Sequence, residues 1–307
     1  MRVNSLKAAK GKLPRTFDLS LLACVLFVGI ISPVSAQQER TSTSSRAVKR
    51  LLEATETRKH AAATFEELVT RYEEHWPEGV IAGYKDKGLF KPLSPEQTAQ
   101  MEKLIREFSK NLFKGIKSRV VQEIITLDNL QTISDRVFGA NLTEREIDEL
   151  AAFCETSAGK KFVKLYWEAA TKSLVSSLEA KGMFAPSPSP EEEEAKIDRI
   201  SGEFAHSPPI KLEEVQAGLK VSLVKDLTAG EIKELVTFSE TPLGNRLAAA
   251  SPKLATEIIA NNIKLFAPRA RAITAEIFKE QMEVFAAGVR DVFNHGKPTS
   301  GSKTPGN

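Results

Sequence analysis

An all-α fold is what this chain predicts, and three observations predict it. No stretch of useful length alternates apolar and polar residues at period two, as a half-buried strand would. Apolar residues instead recur at i, i+3, i+4 and i+7 through most of the chain, the spacing that puts them on one face of a helix. The third observation is a repeat. Residues 142–162 read LTEREIDELAAFCETSAGKKF and residues 227–247 read LTAGEIKELVTFSETPLGNRL, with ten of 21 positions identical and no gap at an offset of 85. The expected architecture is two helical domains built on a duplicated helix–bend–helix unit.

Residues 1–36 read as a secretory signal. Arg2, Lys7, Lys10, Lys12 and Arg15 form a basic start, Leu19 to Ile31 an apolar stretch, and Val34-Ser35-Ala36 a small-residue cleavage site. Cleavage near Ala36 implies a periplasmic or secreted protein with no transmembrane span in the mature chain. A lipoprotein processed at Cys24 and an uncleaved anchor are the alternatives. The leader carries five cations and Asp18, so it holds +4 of a chain whose net charge is +3, leaving −1 for the remainder. That balance argues against nucleic acid as a partner. Cys154 then remains alone, and its place on an apolar stripe favours a small buried residue over a reactive thiol.

The first helical domain is expected over residues 37–181. Val48, Leu51 and Leu52 begin an apolar stripe that Phe65, Leu68, Val69, Tyr72 and Trp76 continue, and Pro77 is expected to end it. A loop over 79–92 follows. Ser94-Pro95-Glu96-Gln97 starts a new helix, with a cap, a proline at the first helical position and a glutamine positioned to reach back. Leu104, Phe108, Leu112, Ile116 and Val120 form its spine. A short helix over Leu130–Phe138 leads to the first repeat unit, 142–178.

Each unit opens on a capping box, Thr143 with Glu146 and Thr228 with Glu231. The stripe that follows holds Ile147, Leu150, Ala151 and Cys154 in one copy and Ile232, Leu235, Val236 and Ser239 in the other, widened by Phe153 and Phe238. The helix then bends and restarts at Thr156 and at Thr241-Pro242. Gly159 and Gly244 lie in the restarted first turn, where glycine costs about 1 kcal/mol against alanine. Close packing against another helix would explain them. A second reading is an anion or lipid-headgroup site, with Lys160 and Lys161, or Asn245 and Arg246, beside free N–H groups at the helix start.

Residues 182–194, GMFAPSPSPEEEE, read as a linker between domains. The second helical domain is expected over 195–294, with its repeat unit at 227–267. Ser251-Pro252 should restart a helix there and Pro268 should interrupt it. The last helix carries Phe278, Phe285 and Phe293, with acidic residues that dilute any basic membrane-binding face. Residues 295–307 read as a disordered tail.

The signature L-T-x-x-E-I-x-E-L-x-x-F-x-E-T-P-x-G resembles the bacterial exported family known as domain of unknown function 2059. Arg46 to Ala54 resembles the helix that opens such proteins, and Pro252 matches a proline of the family pattern. Ser157 and Trp167 stand where that pattern has prolines. The resemblance implies an exported all-α protein and brings no established reaction, cofactor or catalytic residue.

No catalytic, cofactor or metal-binding set is legible. His60, His75, His206 and His295 have no second ligand at metal spacing, and neither a phosphate loop nor a nucleophile elbow occurs. The nearest thing to a catalytic set is Glu146 with Glu149 and Glu231 with Glu234, the basis of a hydrolase alternative. The expected function is therefore a non-enzymatic helical module that binds an envelope protein, peptide or lipid.

Overall fold

The computed structural model describes residues 42–185, 212–295 and a few positions between them. The expected leader, most of the linker and the tail beyond His295 lie outside the described residues. So do the side chains of 248–267. Among the described residues every regular element is an α-helix.

Ser42–Ala54 (α1) is the short helix of the Val48 stripe. After a bend at Glu56, whose φ of 46° is left-handed, Thr57–Asp86 (α2) runs to 30 residues. Pro77 is expected to end it and 79–92 to be loop, but the helix continues through Pro77 to Asp86, and only 87–92 of that stretch is turn. A proline inside a helix removes one hydrogen bond and costs about 3 kcal/mol. Tertiary packing outweighs that cost. Pro77 is itself buried, Trp76 meets Phe108 and Phe113, and Ile81 beyond the proline packs with Phe90, Met101 and Ile105.

Pro95–Glu123 (α3) starts on the expected cap, with both halves of the Ser94–Gln97 box formed. It returns along α2. Leu127–Asn141 (α4), Glu144–Glu155 (α5) and Ser157–Ala180 (α6) follow, and Leu212–Asp226 (α7), Ala229–Ser239 (α8) and Pro242–His295 (α9) complete the order. The expected breaks at Pro252 and Pro268 are absent, because α9 is continuous over 54 residues. Its last half lies antiparallel along α3. Gln97 donates to the Val292 carbonyl, Arg119 pairs with Glu276, and Arg269 pairs with Glu123. A Cβ at Gly115 would stand 2.9 Å from Ile277, and one at Gly288 would stand 2.7 Å from Leu104. Glycine on each helix therefore lets α3 and α9 approach closely.

That contact joins the end of the expected second domain to the core of the first. Ala270, Ile273 and Ile277 of α9 belong to the same hydrophobic cluster as Phe65, Leu68, Leu112, Phe113 and Ile147. Phe278 and Phe285 both pack on Phe108, at 5.7 and 5.3 Å between ring centres. The aromatic stripe of α9 is spent on this core, and only Phe293 at its end is exposed.

Three helix starts recur at the offset seen in the sequence repeat: Leu127 and Leu212, Glu144 and Ala229, Ser157 and Pro242. Packing recurs with them in exchanged form. The helix before each pair rests on the other pair's long helix, α4 on α9 and α7 on α6. Leu142 and Leu227, at equivalent places ahead of the caps, are both buried.

Candidate functional site

The repeated residues converge where α5 and α6 meet α8 and the start of α9. Both capping boxes are formed. Thr143 Oγ1 accepts from the Glu146 N–H while Glu146 accepts from the Thr143 N–H at 2.8 Å, and Thr228 and Glu231 do the same at 2.9 Å. Neither glutamate is left exposed to solvent, because each also receives a cation from the other half. Arg246 grips Glu146 with two nitrogens, at 2.7 and 3.0 Å, and donates to the Asn141 carbonyl. Lys161 holds Glu231 at 2.8 Å, and the Ser157 hydroxyl adds a bond of 2.7 Å.

These two clamps are equivalent by position. Lys161 and Arg246 stand 85 residues apart, as do Glu146 and Glu231. The chemistry differs in a way the sequence explains. Arginine supplies a planar fork that satisfies a carboxylate alone, whereas lysine is a point charge. Ser157 supplies the second donor on the lysine side, and Pro242, its counterpart, has none to offer. The bonds hold both carboxyls below the usual carboxylate range. For Glu146 the causes are the Thr143 backbone and hydroxyl first, then Arg246. For Glu231 they are Lys161 first, then the Thr228 N–H and Ser157, and its pKa is lowered to about 2.

Between the clamps Phe153 and Phe238 stack, with ring centres 3.9 Å apart and planes within 8°. The sequence places both on a core-facing stripe but does not show that they face each other. A groove of about 470 Å³ opens beside the pair. Phe153 and Phe238 line its base, with Gly230, Lys233, Glu234, Thr237 and Thr241 around them.

The bends are held by one device used twice. The Thr156 hydroxyl accepts from the Gly159 N–H at 3.1 Å, and Thr241 from Gly244 at 3.0 Å. A Cβ on Gly159 would sit 2.0 Å from the Phe153 carbonyl oxygen, and one on Gly244 would sit 2.2 Å from that of Phe238. The helix that approaches is thus the one just before the bend, and its backbone cannot give way. Of the cations in the anion reading, Lys161 and Arg246 are engaged by Glu231 and Glu146, while Lys160 is exposed. Pro242 begins α9 as expected and is exposed.

Of the carboxylates behind the hydrolase alternative, one of each pair is already engaged. Glu146 and Glu231 are tied by caps and cations, Glu149 is exposed, and Glu234 lies at the groove without a described partner carboxylate. The carboxyl of Glu155, just before the bend, does not bond to its near neighbours in sequence. It instead reaches Arg50 of α1 at 2.7 Å, and Asp148 meets the same guanidinium. Cys154 is buried in the core, which pushes its thiol up to about 12. His60 stacks on Trp167 at 5.6 Å, and burial lowers its pKa. Among the described residues no three His, Cys, Asp or Glu side chains are grouped to hold a metal, and no helix is long and apolar enough to cross a membrane.

Comparison of the chain with protein-family models, with curated proteins and with solved structures found no match.

The sequence missed the two cross-links themselves. A signal for them was present: acids at 146 and 231 and bases at 161 and 246 occupy equivalent positions of a repeat. The exchange of partners between copies could not be read, because it depends on how the copies pack.

Proposed function

We propose that this chain is a non-enzymatic helical binding module of a bacterial envelope, exported by its leader and built on a duplicated unit whose copies face each other across an approximate two-fold axis. The duplication is supported by the repeat, by the recurring helix starts and by the exchanged clamps. Export is supported by the leader pattern and by the resemblance to the domain of unknown function 2059 family.

The observation that carries the binding role is the groove beside the Phe153–Phe238 stack. It has an apolar base and a rim of Lys233, Glu234 and Thr237, a combination suited to a peptide or a lipid chain. Two of its four candidate acids, Glu146 and Glu231, are engaged by caps and cations, which favours binding over turnover.

Affinity capture from an envelope extract tests this, with the chain as bait and Thr237→Arg, which fills the groove from an exposed position, as control. A protein, peptide or lipid held by the parent and lost with Thr237→Arg is the expected result. Retention indifferent to the substitution, or chemical conversion of whatever binds, would overturn the reading.

A further inference from the structure

The outer faces of α5 and α8 are equivalent in sequence position and differ in what covers them. On α5, Ala151 is completely buried, because α1 lies across the face and Arg50 clasps Asp148 and Glu155. The counterpart of Ala151 on α8 is Val236, and it is 47% exposed. The principal packing of α8 is with α6 and α9, on its other sides. Lys233, Val236, Thr237 and Glu240 fall at i, i+3, i+4 and i+7, a single face, and all four are exposed. Neither Lys233 nor Glu240 has an ion-pair partner among the described residues.

The charges say what this face fits. On α5 the two flanking positions are both acidic, Asp148 and Glu155, and a cationic helix answers them. On α8 the first has become Lys233 while the second remains acidic as Glu240. A face with a cation at one end and an anion at the other is complementary to itself when two copies run antiparallel. A two-fold axis passing between Val236 and Thr237 sets Lys233 of each copy opposite Glu240 of the other, with the two Val236 side chains near the axis. The α5 face could not do this, since its own copy would set acid against acid.

We infer that the α8 face is a homodimer interface in which a second copy of this chain packs antiparallel across Lys233, Val236 and Glu240. This deepens the proposed binding role, since Lys233 and Thr237 also border the groove, and it names the partner. One helix face is small for a protein interface, so the dimer forms at high concentration and weakens with salt.

Sedimentation equilibrium of the full chain from micromolar to millimolar concentration tests it. The parent should show a monomer–dimer equilibrium. Lys233→Glu and Glu240→Lys should each weaken it by about tenfold, because like charges then face each other. The double variant Lys233→Glu/Glu240→Lys should restore parental association, a rescue that only a self-complementary antiparallel contact predicts. Val236→Glu should leave a monomer with unchanged helical circular dichroism, since the position is exposed. A parent that stays monomeric throughout, a dimer indifferent to all these substitutions, or a double variant as weak as the singles would each overturn the inference. A monomeric parent that still loses its captured ligand with Thr237→Arg would sink the dimer and leave the binding module standing.

Discussion

Glu231 shows how much one side chain can be asked to do. It caps α8, accepts the Ser157 hydroxyl and pairs with Lys161, and together these lower its pKa from 4.5 to about 2. A carboxyl whose folded pKa is depressed contributes stability above its ordinary value and loses it as pH falls through the folded value. Glu231→Gln should therefore lower the melting temperature at neutral pH, and its deficit against the parent should shrink between about pH 4.5 and 2. A pH series of thermal melts checks this, and a deficit that is constant with pH would refute it. Gly244 makes a steric demand of equal clarity. Even Gly244→Ala puts a methyl into the Phe238 carbonyl, so a loss of about 1–3 kcal/mol is expected in denaturant titration. Unaltered stability would mean that the bend shifts freely. Cys154 should resist alkylation until the chain unfolds, since its thiol is buried and its pKa is pushed up to about 12. Rapid labelling of the native protein would contradict that.

At the scale of elements, local signals and packing contribute unequally. Caps are local, so Ser94–Gln97, Thr143–Glu146 and Thr228–Glu231 all stand where the sequence puts them. Thr228→Ala should cost about 1 kcal/mol, measured by chemical denaturation. The same substitution also removes a hydroxyl bond to the Glu231 carboxyl that Lys161 holds, so its effect should fall when Lys161→Ala has already been made. Full additivity would mean that cap and clamp are independent. Prolines mislead in the opposite direction. Pro77 and Pro268 carry a local preference to stop a helix, yet Ile81 on one side and Ala270, Ile273 and Ile277 on the other tie the continuing chain to α3. A reading confined to neighbours along the chain weighs the lost hydrogen bond and misses the buried side chains beyond it. Pro252 belongs to the same pattern, with its backbone helical inside α9.

At the scale of the molecule, the long α9 decides how the halves relate. Its apolar residues complete the cluster begun by α1, α2 and α3, so α9 shares a core with helices that precede the expected linker. Thermal unfolding followed at Trp76, which sits in the α2–α3 core, and by helical circular dichroism should therefore give coincident transitions. Two separated transitions would indicate two independent cores. Deleting 269–295 should destabilise the α2–α3 pair, even though the linker composition marks that pair and the deleted residues as different domains. The exchange of clamps between Glu146 and Arg246, and between Glu231 and Lys161, adds a second bond between the halves.

By itself the sequence determined the helical class, the caps, the bends and the repeated positions, because each follows from contacts within about one or two turns of a helix. It also marked Gly159 and Gly244 as costly choices and placed Phe153 and Phe238 on the apolar stripes. Only the tertiary structure decided what they face. The stacked rings, the exchanged ion pairs, the uncovered side of α8 and the return of α9 onto α3 join residues dozens to nearly two hundred positions apart. Such pairings are set by which apolar faces find each other in space, and a periodicity along the chain names the faces without naming their partners.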